Sequence, residues 1–234
     1  MTARIHSTPP EAISDLTRET VYVDDYTFYL QRPTGIDQLW EHPAVRAAYA
    51  ADEYIPYWSE LWPAGRMLAR AIVREDWSAM ESKFGQPLHA LEIGCGLGLA
   101  GIAALAKGMK VTFTDVDEMA AVLAGNNAKL NGFHQYETKA IDVRSVPEGL
   151  QVPILFASDV LYEPRLIGPV VQFVKQALQP GGVCLVGDAD RISARPFKHE
   201  VFTAGMVITG TPTRVGEPGG SRTKGTIYRI THPE

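Results

Sequence analysis

A run of glycines and three acidic residues carry the chemistry on offer. Glu92-Ile93-Gly94-Cys95-Gly96-Leu97-Gly98 sets glycines 94, 96 and 98 after a short apolar run and ahead of a helical pattern. In that context a tight turn lets backbone N–H groups approach a ligand without side-chain interference. Asp115 ends the next apolar run in Phe113-Thr114-Asp115, followed by Val116, where a carboxylate can accept hydrogen bonds from both hydroxyls of a ribose. Its alternative is a solvated strand-end acid or the cap of the following helix. Asp142, in Ala140-Ile141-Asp142-Val143, can accept from an adenine amino group with Val143 against the ring.

Two ligand classes fit these positions. Gly96-Leu97-Gly98-Leu99-Ala100-Gly101 satisfies G-x-G-x-x-G with Asp115 downstream, as enzymes binding a nicotinamide dinucleotide require. Glu92 argues against that reading, because a carboxylate repels a pyrophosphate but attracts the ammonium and sulfonium of S-adenosylmethionine. A dehydrogenase also needs further sequence for its substrate, whereas this chain ends soon after its last strands.

The elements that must position these residues alternate from residue 87 onward. Apolar periodicity and turn signals predict strands over 89–93, 110–114, 138–141, 154–157 and 183–186. Helices are predicted over 99–107, 118–130 and 166–178, the last ended by Gln179-Pro180-Gly181-Gly182. Such alternation implies an α/β, doubly wound parallel sheet. Strands over 206–211 and 226–230, joined by a loop too short for a crossover helix, form an antiparallel C-terminal hairpin. Residues 1–56 read as an N-terminal extension and 57–234 as the main domain. Within the extension, residues 1–20 are a polar tail, two strands flank Asp24-Asp25, and a helix covers 36–49. A further helix over 63–73 opens with Pro63.

Composition narrows the function. A formal charge of −5 without a dense Lys/Arg run lacks the footprint of a nucleic-acid binder. Two distant cysteines suggest neither a disulfide framework nor a zinc site and fit the cytoplasm. No apolar stretch approaches the roughly 18 residues that span a bilayer, so no membrane anchor or signal peptide is expected. Ser193, His199 and Asp190 lack a nucleophile-elbow context. The remaining histidines, His6 among them, read as surface or packing residues.

Three segments resemble the class I, seven-stranded S-adenosylmethionine-dependent methyltransferases, and within them the lysine methyltransferase group of methyltransferase family 16. The glycine turn with Glu92 resembles their first motif. Pro56-Tyr57-Trp58-Ser59-Glu60-Leu61-Trp62-Pro63-Ala64-Gly65 resembles the aromatic segment ahead of the core, and Ser158-Asp159-Val160-Leu161-Tyr162 their Asp-x-x-Tyr motif.

The resemblance implies a Rossmann-like seven-stranded sheet and a cofactor held by Trp62, Glu92, Gly94, Gly96, Gly98, Asp115, Val116, Asp142, Val143 and Ser158. Asp159 would orient an acceptor amine, its alternative being a carboxylate bound to nearby backbone amides. Tyr162 would close the acceptor pocket, its alternative being simple packing, and Trp58 has the same packing alternative. The implied activity is N-methylation of a protein lysine or other nitrogen side chain, with S-adenosylhomocysteine as product. A small-amine or heterocycle methyltransferase and a non-catalytic cofactor-binding scaffold are the competing readings, and a nicotinamide-dependent oxidoreductase is a minor one.

Overall fold

Strands covered on both faces belong at the centre of a parallel sheet, and four strands buried along most of their length set the architecture here. The computed structural model describes residues 6–8, 13, 15–216 and 221–233. The chain opens with a hairpin, β1 (Leu16–Val23) and β2 (Tyr26–Pro33), then helices α1 (Ile36–Glu41), α2 (Pro43–Asp52), α3 (Pro63–Arg74) and α4 (Ser78–Phe84). Strand and helix then alternate: β3 (His89–Ile93), α5 (Leu99–Ala106), β4 (Lys110–Asp115), α6 (Glu118–Leu130), β5 (Tyr136–Ala140), β6 (Val152–Ser158), α7 (Pro164–Ala177) and β7 (Leu178–Asp188). Helix α8 (Phe197–Thr203) and strands β8 (Val207–Val215) and β9 (Thr223–Thr231) complete the chain.

The sheet has the order β5-β4-β3-β6-β7-β9-β8. β3, β4, β6 and β7, each buried along most of its length, fill its middle. β5, whose side chains are largely exposed, lies at one edge. Strands β5 to β7 run parallel, and β9 pairs antiparallel with both β7 and β8. This is the mostly parallel sheet with an antiparallel C-terminal hairpin that the sequence implies. Two apolar clusters cover its faces, one including Phe113, Phe156 and Ile102, the other Phe173, Leu155 and Phe197. The hairpin residues Val21, Val23, Phe28 and Leu30 belong to the first cluster. No helix among the described residues is long and apolar enough to cross a membrane.

Several local expectations need correction. The helix expected over 36–49 is two helices, because Pro43 offers no N–H and holds His42 in extended backbone, φ −72° and ψ 131°. Helices α4 and α8 carry no sequence signal strong enough to predict, being seven residues each, with no buried residue in α4. β7 begins at Leu178 and not at Val183, so the Gln179–Gly182 segment that ends the helix is already part of the strand, with a register shift opposite Val152 and Ile154. Most of the predicted N-terminal tail, residues 1–5, 9–12 and 14, lies outside the described residues, as does the loop segment 217–220.

Gly101 sets how closely α5 approaches the sheet. A Cβ there would run into the Phe113 ring and come within 2.8 Å of Glu92 Oε2 and 2.9 Å of Val111 Cγ1. Alanine normally favours a helix over glycine by about 1 kcal/mol, whereas overpacking a filled core costs about 1–3 kcal/mol. We therefore expect Gly101→Ala to lower the urea midpoint; a raised midpoint would show that α5 can slide away from Phe113.

Candidate active site

A cavity of about 520 Å³ lies beyond the carboxyl ends of β3, β4 and β6. Open α/β sheets bind ligands at such a place, where the strand order reverses; here the reversal falls between β3 and β6. All twelve site residues singled out in the sequence line this cavity.

The glycine turn forms its floor. Gly94, Gly96 and Gly98 have φ of 59°, 49° and 82°, the left-handed region that glycine enters without penalty. Space matters as well: a Cβ on Gly94 would lie 2.8 Å from Val160 Cγ1, and one on Gly98 2.8 Å from Ala124 Cβ. Asp115 ties the turn to β4, its Oδ2 accepting from Gly96 N at 3.0 Å and its Oδ1 from Asp117 N at 3.1 Å. A carboxylate offers about four acceptor sites, so these bonds leave capacity for ribose hydroxyls. The helix cap is Asp117, not Asp115, since Asp117 Oδ1 accepts from Met119 N at 2.9 Å.

Glu92 departs from expectation. Its side chain is 1% exposed and accepts from Gly101 N at 2.8 Å, while burial pushes its pKa up to about 8. In the free protein at neutral pH it is largely protonated, so the attraction to a sulfonium and an ammonium operates only once a cation stabilises the ionised form. Asp142 departs too: it is 3% exposed, and its two oxygens each accept from Arg144 Nε at 2.8 Å. The base-facing acceptor expected there is already engaged by a guanidinium. Val143 lies beside it against the second apolar cluster.

At the other end of the cavity Asp159 follows β6 with φ 54°, a left-handed conformation that Asp tolerates better than most residues. Its Oδ2 accepts from Ala64 N at 2.9 Å, in the first turn of α3, and its Oδ1 from Arg191 Nη2 at 2.9 Å and Nε at 3.2 Å. The free carboxylate expected to greet an amine is thus paired with a cation and a backbone amide. Burial still pushes its pKa up, against the pull of Arg191. The Arg191 guanidinium also sits 5.3 Å from the Trp62 ring centroid. Tyr57 meets Trp62 and Tyr162 edge to face, at 5.9 Å and 5.3 Å. Tyr162 is 37% exposed at the rim, and Ser158 Oγ lies close to Gly65 of α3.

Sequence reasoning missed three participants. Arg191 stands in a loop whose signal was the charged run Asp188-Ala189-Asp190-Arg191 at the end of a buried strand. Fully buried Asp117 gathers the walls: Thr8, Tyr54 and Trp58 all donate to its carboxylate, Trp58 Nε1 at 3.2 Å. Trp58 therefore packs as well as lining the cavity, where its carbonyl faces Gly96. His6 stacks on Tyr54 at 4.1 Å and lines the cavity; nothing local in the sequence signals a contact across 48 residues. The dismissed trio stays apart, with Ser193 Oγ donating to Leu161 O at 2.8 Å and Asp190 accepting from Thr226 Oγ1 at 2.7 Å.

A carboxyl whose folded pKa is raised binds its proton more tightly folded than unfolded, so it weakens the fold as pH rises. For Glu92 the window runs from an ordinary 4.5 to about 8, and for Asp115 from 3.8 to about 6. Glu92→Gln keeps an acceptor for Gly101 N and removes the larger contribution. Its melting temperature relative to wild type should rise between about pH 5 and pH 8; parallel curves would mean that Glu92 titrates normally.

A family profile described as lysine methyltransferase matches residues 57–202. Among curated relatives, the electron transfer flavoprotein beta subunit lysine methyltransferase of Mus musculus is 24% identical over 163 residues, 68% of this chain and 61% of that protein. The chain's match thus spans about three-fifths of that relative's length. Among solved structures, the ribosomal protein L11 methylase of Lactobacillus delbrueckii superposes with a TM-score of 0.55 at 17% identity, covering 73% of this chain and 79% of that one. The N-methyltransferase NodS of Bradyrhizobium japonicum, in complex with S-adenosylhomocysteine, gives 0.55 at 19% identity over 72% and 87%. These likenesses at low identity carry the fold, and the profile match carries the family: the chain belongs to the lysine methyltransferase family.

Proposed function

We propose that this protein transfers the methyl group of S-adenosylmethionine to the side-chain nitrogen of a lysine in another protein, releasing S-adenosylhomocysteine. The observation that carries this reading is the meeting, in one cavity, of the glycine turn and Asp115 with an aromatic end at Trp62 and Tyr162 beside Asp159. The residues fit an adenosyl group: a turn of left-handed glycines that lines the cavity, and a buried acid with acceptor capacity left over. The family description and the names of the curated relatives support lysine as the acceptor.

When bound, the cofactor supplies a methyl group on a sulfonium, which an aligned nucleophile about 3 Å away can take directly. The chain's own part is alignment. The turn and Asp115 hold one end, while Trp62, Tyr57 and Tyr162 wall the other. A lysine must lose its proton before it attacks, and a lone carboxylate would oppose that loss by favouring the ammonium. Arg191 offsets the charge of Asp159, so the pair can orient the amine with less bias toward its protonated form. The acceptor's proton then leaves to solvent at the rim.

The charge of −5 supports a protein rather than a nucleic acid as acceptor. Two buried, unpaired cysteines support a reducing compartment, the cytoplasm.

Calorimetry with S-adenosylmethionine and separately with NADH tests the cofactor. We expect selective binding of the former and, because bonds to a charged group contribute about 1.5–3 kcal/mol, a Kd raised roughly tenfold or more by Asp115→Ala. NADH binding alone would overturn the reading. Labelled methyl transferred to lysine of proteins in an extract tests the acceptor; transfer only to free amines, or none at all, would move the assignment to a small-amine enzyme or a scaffold.

A further inference from the structure

The β1–β2 hairpin precedes the residues that match the family, and its second strand has a free backbone edge facing α6. Two asparagines one helical turn apart cover that edge. Asn131 accepts from Tyr29 N at 2.8 Å and donates to Tyr29 O at 2.7 Å. Asn127 accepts from Gln31 N at 2.7 Å and donates to Gln31 O at 3.0 Å. Each side-chain amide thus stands in for a residue of a neighbouring strand, satisfying groups that a buried edge cannot leave unpaired.

Asn127 does one thing more. Completely buried, it also donates to Leu97 O at 3.1 Å. Leu97 sits between Gly96 and Gly98, both in the left-handed region. The Leu97–Gly98 peptide unit is held at both poles, Gly98 N donating to Cys95 O at 2.7 Å and the Leu97 carbonyl accepting from Asn127, and the two bonds together select one of the orientations that the flanking glycines leave open. That orientation sets where the neighbouring N–H groups of the turn point.

We propose that Asn127 is a positioning residue for the cofactor turn and that, through it, the N-terminal hairpin is a working part of the cofactor site. The inference rests on the cofactor reading above for its effect on affinity, but not for its effect on the turn. Asn131 shares the hairpin, and its amide bonds go to Tyr29 and to the Asn127 carbonyl at 2.8 Å, which makes it the control.

The test uses the full chain with Asn127→Asp and Asn131→Asp. Each variant keeps an acceptor for the β2 amide and loses the donor to the β2 carbonyl, but only Asn127→Asp also loses the donor to Leu97. Two quantities are read: the Kd for S-adenosylhomocysteine by calorimetry, and the amide shifts of Gly94, Gly96 and Gly98 by NMR in the free protein. Asn127→Asp should raise the Kd about tenfold and move the glycine shifts, with Asn131→Asp changing the Kd less than twofold and leaving the shifts in place. Asn127→Ser, which shortens the reach to Leu97 without adding charge, gives the same readouts should the aspartate variant be too unstable. Equal effects from both positions at equal melting temperature would reduce Asn127 to a hairpin anchor, and unmoved glycine shifts would overturn the proposal outright. If the wild type fails to bind S-adenosylhomocysteine, the cofactor reading fails, while the glycine shifts still decide whether Asn127 sets the turn.

Discussion

A turn that offers part of its backbone to a ligand commits little of it to ladders, so side chains from elsewhere must add to the few backbone bonds, Cys95 N to Thr114 O and Gly98 N to Cys95 O, that fix its shape. In this protein three such side chains converge on residues 94–101. Glu92 accepts from Gly101 N, Asp115 accepts from Gly96 N, and Asn127 donates to Leu97 O. They come from β3, β4 and α6, so the turn is held from the strand before it, the strand beside it and the helix packed over it. Each bond joins polar groups that burial would otherwise leave unpaired, and the left-handed glycines allow the chain to satisfy all three at once.

The two ends of the cavity treat charge differently. At the turn, Glu92 and Asp115 lie in one buried region with pKa values lifted to about 8 and about 6. At neutral pH Asp115 is mostly ionised already, so a cation arriving there would couple to proton release chiefly through Glu92. At the far end Asp159 already has Arg191, and Arg191 in turn covers the Trp62 ring. That guanidinium offsets the charge of Asp159, while the buried carboxyl of Asp188 lies close enough to feel both.

The regular core was legible because its signals are local. β3 and α6 fall on the predicted bounds, since buried strands and capped helices write their limits into five to thirteen consecutive residues. All twelve site candidates reach one cavity because strand ends are where this topology must place them. What the sequence hid is pairing. Nothing near Asp142 says that Arg144 folds back onto it rather than facing solvent, and nothing near Asp159 points to a guanidinium 32 residues away. The break at His42-Pro43 is readable from the proline alone, which takes the first position of the second helix.

The same distinction explains the N-terminal segments. Hairpin residues Val21, Val23, Phe28 and Leu30 are apolar at alternating positions, so a strand pair was predictable from pattern alone. Its partner was not, because the contact is made by two asparagine side chains about a hundred residues further on. Apolar burial brings the hairpin to α6 but is non-directional and would tolerate many placements. Paired amide bonds at Tyr29 and Gln31 demand one register, and only that register puts the Asn127 amide between β2 and the Leu97 carbonyl. The hydrophobic face thus accounts for the stability of the docking, while the polar edge accounts for its precision, and it is the polar edge that reaches the glycine turn.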